Sequence, residues 1–258
     1  MNTVVTTRKR LYQEIGQGLI DRILNGEFVV GDRLPPEREI AEQCQVSRAV
    51  VREALIMLEL QNLVEVRKGS GVYLINQPSE STASKNKTNE HSDVGPFEML
   101  QARQLLESHV AEFAAMQVTK NDISRLRKAL ELEYQHLENK DSNYDGDEMF
   151  HMAIAEATQN SVLVDMVKEL WVRRQNSSMW LQLHSRIANQ DYRKKWLKDH
   201  EKILSALQRR SPTAARDAMW QHLENVKNTL LELSDVDDPK FDGFLFNCNP
   251  VIVQDKLL

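Results

Sequence analysis

Cysteine is scarce in this 258-residue chain: only Cys44 and Cys248 are present, far apart in sequence. That excludes a disulfide framework and a four-thiolate zinc site, and both residues read as reduced thiols. Long apolar runs are missing as well. No stretch approaches the roughly 20 consecutive apolar residues that a membrane-spanning helix needs. The opening MNTVVTTRKR puts its charges after its apolar residues and has no hydrophobic segment of a secretory leader. The expectation is a cytoplasmic protein with no membrane partner. A surplus of positive charge is lacking too, since 33 Lys and Arg stand against 38 Asp and Glu. The total argues against a polyanion-binding protein, so the distribution of charge matters more than its sum.

What is present is 41% hydrophobic and 28% charged residues, the composition of a soluble globular protein with one large or two ordinary domains. Residues 11 to 25, LYQEIGQGLIDRILN, carry Leu11, Ile15, Leu19, Ile20, Ile23 and Leu24 at helical spacing. An extended loop follows through Leu34-Pro35-Pro36, because the residue before a proline is disfavoured in a helix. From Leu34 to Leu74 the pattern is two helices joined by a tight turn and then a β-hairpin. Ile40 and Ala41 precede a break at Gln45-Val46, and Ser47 opens the second helix by accepting from its free backbone N–H groups. Val50, Val51, Ala54, Leu55 and Leu58 form the inner side of that helix, while Arg48 and Arg52, four apart, are expected to share an outer face. Two guanidiniums near a helix N-terminus suit phosphates and guanine edges. Residues 63–66 and 71–75 are strand-like, with Arg67-Lys68-Gly69-Ser70 as the turn between them.

This segment reads as a winged helix-turn-helix over residues 8–76, and residues 11 to 76 resemble the GntR family of bacterial regulators. The resemblance implies contact with double-stranded operator DNA through Arg38, Ser47, Arg48, Ala49, Arg52, Lys68 and Gly69. Up to Asn76 there are 10 Lys and Arg against 10 Asp and Glu, leaving 23 against 28 beyond it. A neutral reading domain attracts phosphate only through cations gathered on its contacting face, and as a monomer it binds weakly. A homodimer on a palindromic site is the expected working unit, with two recognition helices one helical turn apart.

After Ile75 the composition changes abruptly. QPSESTASKNKTNEHSDV, residues 77–94, is almost wholly polar and reads as a flexible linker. From 95 to 234 there is no strand pattern. Helices are expected near 96–117, 120–139, 144–158, 161–176, 178–188, 190–209 and 212–233, with Thr119 as one start signal and Ser211 before Pro212 as another. The fold class is therefore mainly α: a winged helix-turn-helix followed by an all-α bundle. The tail from 235 to 258, including FDGFLFNCNPVIVQ, has three phenylalanines and no helical period.

Within the bundle, Asp147 and His151 stand four apart and share a helix face, while His200 and His222 fall on the apolar stripes of their own helices. An inward imidazole needs partners for its nitrogens. Each histidine alone can be a satisfied core residue; converging with a carboxylate, they offer three nitrogens and one oxygen to a divalent metal. The bundle resembles the FCD effector domain of the FadR subfamily, through Arg103-Gln104-Leu105-Leu106-Glu107, Asp147 to His151, Asn160, Asp199-His200 and His222. The resemblance implies a metal on Asp147, His151, His200 and His222. Zinc is the first expectation, and nickel and manganese also suit nitrogen and oxygen ligands. Arg103 could clamp the carboxylate of an effector, or pair with Glu107 one turn on; Asn160 could bond the effector or cap the following helix. His109, His136 and His184 read as structural or solvated.

Three segments, GPFEMLQARQLLESHVAEFAA, AMWQHLENVK and FLFNCNPVIV, narrow the resemblance to the hexuronate-operon repressors. That implies a sugar-acid effector such as fructuronate. Two rival readings are weighed against it. A metal-dependent enzyme fused to a DNA-binding module is disfavoured, because there is no HExxH-type helix. A regulator with a purely structural metal and a different carboxylate effector is the other.

Overall fold

The structure is a computed structural model that describes residues 10–67, 70–78, 94–139, 145–185 and 192–234. These fall into two compact units, one ending at residue 78 and the other spanning 94–234. The expected wing-tip residues Lys68 and Gly69, most of the expected linker and the whole expected tail lie outside the described residues.

The first unit contains α1 (Leu11–Leu24), α2 (Glu37–Cys44), α3 (Arg48–Leu60), β1 (Val64–Arg67) and β2 (Gly71–Leu74). The turn between α2 and α3 is made by Gln45 in the left-handed region, φ 55°, with the Val46 N–H donating back to the Ala41 carbonyl at 3.0 Å. This closes α2 sharply enough for Ser47 to start α3, where its hydroxyl accepts from the Val50 N–H. β1 and β2 pair antiparallel, with Val64 opposite Leu74 and Arg67 opposite Gly71. Gly71 suits its place because its φ is +107°, a conformation that L side chains rarely adopt. The loop before α2 runs along β2, with the Leu34 N–H donating to the Val72 carbonyl and the Leu74 N–H to the Asp32 carbonyl. Leu19, Ile23, Leu34, Ile40, Val51, Leu55, Leu58, Val64 and Leu74 join all these elements in one core. Each large side chain there contributes about 1.5–3 kcal/mol by leaving water.

The second unit is helical throughout its described residues: α4 (Pro96–Gln117), α5 (Lys120–Glu138), α6 (Asp145–Ala157), α7 (Ser161–Gln175), α8 (Ser178–Ser185), α9 (Tyr192–Gln208) and α10 (Pro212–Leu233). Pro96 and Pro212 occupy first turns, where no N–H is needed. Thr119 and Asp122 form a reciprocal capping box that starts α5. α4 packs on α10, α6 and α7, α5 on α6 and α9, and α9 on α10. The faces of α4, α5, α6, α9 and α10 thereby meet around one interior point, where the candidate ligand side chains lie. No helix among the described residues is long and apolar enough to cross a membrane.

Candidate metal and effector site

The residues expected to read DNA come first in the chain, and one of them is placed differently from expectation. Arg48 and Arg52 do share a face of α3, but it is turned toward α2. The Arg52 side chain is only 1% exposed, and its guanidinium grips both carboxylate oxygens of the equally buried Glu37, with Nε at 2.9 and 3.0 Å. Arg48, 11% exposed, reaches the same carboxylate at 3.5 Å. A spacing of four fixes which residues share a face but not what that face meets, and the partner lies on another helix. Arg52 is therefore a buried strut between α2 and α3 rather than an outward group. Arg38 remains in solvent, 56% exposed and loosely paired with Glu42 at 3.6 Å. Ser47 and Ala49 are half-buried at the start of α3.

In the bundle, Asp147, His151, His200 and His222 converge, each offering a ligand atom within 4.8 Å of the others. α6 supplies Asp147 and His151 from successive turns, α9 supplies His200, and α10 supplies His222. His200 Nε2 lies 3.1 Å from His222 Nε2, and Asp147 Oδ1 lies 3.5 Å from His151 Nε2 and 3.7 Å from His200 Nε2. The three imidazoles are buried, and the Phe150 ring stacks on His200 at 4.5 Å between centroids.

The outer nitrogens show what this set can hold. His200 Nδ1 lies 2.9 and 3.0 Å from the two oxygens of Glu133, and His151 Nδ1 contacts Glu107. Asp199 stands 4.0 Å from His222 Nδ1. A carboxylate accepts, so Nδ1 of His200 and of His151 carries the hydrogen and Nε2 faces inward as a lone pair. His151 Nε2 has no hydrogen-bond partner. Two inward Nε2 atoms at 3.1 Å repel unless a cation or a proton stands between them. Asp147, Glu107, Glu133 and Asp199 bring four negative charges, against Arg103, Arg174 and the outlying Lys202. The donor set thus fits a divalent ion, for which neutral imidazole and carboxylate are suitable ligands.

Protonation follows the same field. Burial alone would lower His200, but the Glu133 charge and hydrogen bond, with Asp147 and Asp199, outweigh it and hold the imidazole above its usual value. Burial and the neighbouring His200 and His151 push His222 well down. Burial would raise the Glu107 carboxyl, yet Arg103 and His151 hold it at about 2.

Arg103 borders this set. Its Nε donates to Glu107 at 2.6 Å, its Nη2 lies 3.5 Å from His151 Nδ1, and its guanidinium covers the Trp171 ring at 4.3 Å. Both expectations for Arg103 are compatible with this: the Glu107 pair exists, and it lies beside the candidate ligand set. Arg174 lies over Trp171 at 4.5 Å, with Nη1 3.6 Å from Asp147 Oδ2. Asn160 is exposed and its Oδ1 accepts from the Val162 and Leu163 N–H groups. These bonds are those of a helix cap. His109 is exposed beside Glu112, and His184 stacks on Trp180. Glu133 and Arg174 escaped sequence reasoning because neither shares a motif or a helix face with the ligands; Asp199, next to His200, carried a hint in its adjacency.

Residues 11–74 match the model of bacterial regulatory proteins of the gntR family, and residues 98–225 match that of the FCD domain. The chain belongs to the GntR family of bacterial transcriptional regulators, with an FCD domain as its second unit. It is a DNA-binding regulator rather than an enzyme, and members of this family bind operator DNA and small-molecule effectors. Among its relatives, the Uxu operon regulator of Haemophilus influenzae is 55% identical over 95% of this chain and 91% of that protein. The Uxu operon transcriptional regulator of Escherichia coli (strain K12) is 52% identical, over 95% of this chain and 96% of its own length. The Exu regulon transcriptional regulator of the same organism is 47% identical over 96% and 95%.

Proposed function

We propose that this protein is a homodimeric repressor of hexuronate catabolic genes, released from a palindromic operator when a sugar acid such as fructuronate binds the helical unit. The observation that carries the effector reading is the Asp147, His151, His200 and His222 set with the Arg103 guanidinium beside it, in a chain similar to Uxu and Exu regulators over nearly its whole length. Asp147, His151, His200 and His222 would hold a divalent ion, zinc first, which would supply a Lewis acid for a carboxylate or adjacent hydroxyl. Arg103, already paired with Glu107 through Nε and Nη2, would offer the effector's carboxylate a further N–H of the same guanidinium. On the DNA side, Arg38, Ser47, Arg48 and Ala49, with Lys68 and Gly69 at the wing, are assigned to the operator, and Arg52 is assigned to holding α3 against α2.

Release requires that the effector bind the operator-incompetent arrangement more tightly than the competent one. Zinc-loaded protein titrated onto labelled operator DNA should lose affinity on addition of fructuronate, and operator binding unmoved by any hexuronate would sink the effector assignment. The buried Arg103–Glu107 pair favours one rival, in which Arg103 and the metal are purely structural. That rival expects the binding of whatever effector the protein has to be unchanged in Arg103→Lys.

A further inference from the structure

Glu133 contributes no ligand and comes from α5, a helix with no residue in the ligand set. Its side chain is nevertheless only 10% exposed and directs both oxygens to one atom, His200 Nδ1. Burying a carboxylate has a cost that must be offset by what it holds. Next to Asp147, Gly146 brings α6 against the same point of α5: a Cβ on Gly146 would lie 2.6 Å from Glu133 Cγ and 2.8 Å from the Glu133 backbone nitrogen. The ligand Asp147, the glycine before it, Glu133 and the ligand His200 thus form one contact between α5, α6 and α9.

We infer that Glu133 is a positioning residue for the metal: it fixes His200 with hydrogen on Nδ1 and the Nε2 lone pair aimed at the ion, and Gly146 is the residue that lets α5 approach closely enough for it. This rests on the metal reading above. A neutral imidazole carries one hydrogen, and a carboxylate that holds it on the outer nitrogen selects the binding tautomer and raises the basicity of the inner one. Phe150, stacked on the His200 ring, restricts its plane but cannot choose between the nitrogens. Glu107 acts similarly on His151, but it is shared with Arg103, so Glu133 offers the cleaner separation of positioning from effector binding.

The test uses full-length protein stripped of metal and reloaded with zinc or cobalt. Affinity is read by competition with a chromophoric chelator, His200 tautomer by nitrogen-15 shifts of its ring, and fold by thermal unfolding of the metal-free form. Glu133→Gln retains an acceptor of the same shape. It should unfold within a few degrees of the parent, bind zinc about 10–100-fold more weakly, show a mixed His200 tautomer and shift the cobalt absorption bands. Glu131→Gln, on the exposed side of the same helix, should change none of these. Gly146→Ala should weaken zinc in the same direction, less than additively with Glu133→Gln. A Glu133→Gln protein with parental zinc affinity and a single His200 tautomer overturns the inference while leaving the metal reading intact. A parent protein that takes up no stoichiometric ion overturns the metal reading, and this inference with it.

Discussion

Replacing Arg52 by alanine should weaken operator binding by costing the first unit much of its stability, not by removing a DNA contact. Glu37 and Arg52 are each 1% exposed at the side chain, and Arg52→Ala would leave the carboxylate with Arg48 at 3.5 Å as its remaining guanidinium partner of this pair of arginines. Breaking a buried pair in this way costs about 3–5 kcal/mol. A unit of about 65 residues has roughly 3–10 kcal/mol of stability in all. At about 4–8 °C per kcal/mol for a domain of this size, its melting transition should fall by roughly 12–40 °C. The transition of the helical unit, which contains no part of this pair, should stay in place in differential scanning calorimetry. The double variant Glu37→Leu with Arg52→Met removes both charges, so most of the lost stability should return. Its operator affinity, read by fluorescence anisotropy, should then lie within about threefold of the parent. Each lost phosphate contact lowers the magnitude of the salt-dependence slope by about 0.9, so the slope should not move. A well-folded double variant with no operator affinity would refute the reasoning and make Arg52 a DNA contact, as would Arg52→Ala melting within a few degrees of the parent.

Removing the metal with a chelator should lower the melting temperature of the helical unit, by the equivalent of about 2.7 kcal/mol where free ion had stood at a hundred times its Kd. His222→Ala should melt at the same temperature with and without chelator. Arg103→Lys keeps the charge beside Glu107 but loses the planar fork. Its fructuronate affinity, measured by calorimetry on zinc-loaded protein, should fall about tenfold or more, the worth of one charge-assisted hydrogen bond of roughly 1.5 kcal/mol. Burial would raise the Asp122 carboxyl, but hydrogen bonds from Arg125 and from Thr119 hold it below its usual value. A depressed carboxylate stabilises the fold above its unfolded value near 3.8 and loses that contribution as pH falls through the lower folded value. Asp122→Asn should therefore lower the urea midpoint at pH 6, and the gap to the parent should close below pH 3.8.

Most of the helices were legible because their start signals are local. Thr119 with Asp122, and Ser47, cap within one turn of the backbone, and Pro212 sits in a first turn although Ser211 makes no side-chain cap bond, so the sequence carries these signals whole. The convergence of the four candidate ligands was legible for a related reason. Asp147 and His151 share a face by spacing alone, and His200 and His222 betray themselves as polar residues on apolar stripes. What was not legible depends on partners far along the chain. Glu37 captures Arg52 across 15 positions, Glu107 meets His151 across 44, and Glu133 meets His200 across 67. Periodicity cannot report such pairs, because each member looks like an ordinary charged residue on its own helix. Asn160 shows the converse: its capping bonds reach only two and three residues ahead, so the cap could be read locally.

By itself, then, the sequence determined a helix-turn-helix with a β-hairpin and a helical bundle holding one aspartate and three inward histidines, since these follow from caps, periods and spacings that act over one or two turns. Only the tertiary structure decided which charges face solvent and which face each other. It turned Arg52 from a surface cation into a buried strut, and placed Glu133 behind His200. The physical reason is that burial and pairing are properties of two elements in contact, and the contact is made by the packing of helices that are distant in the chain.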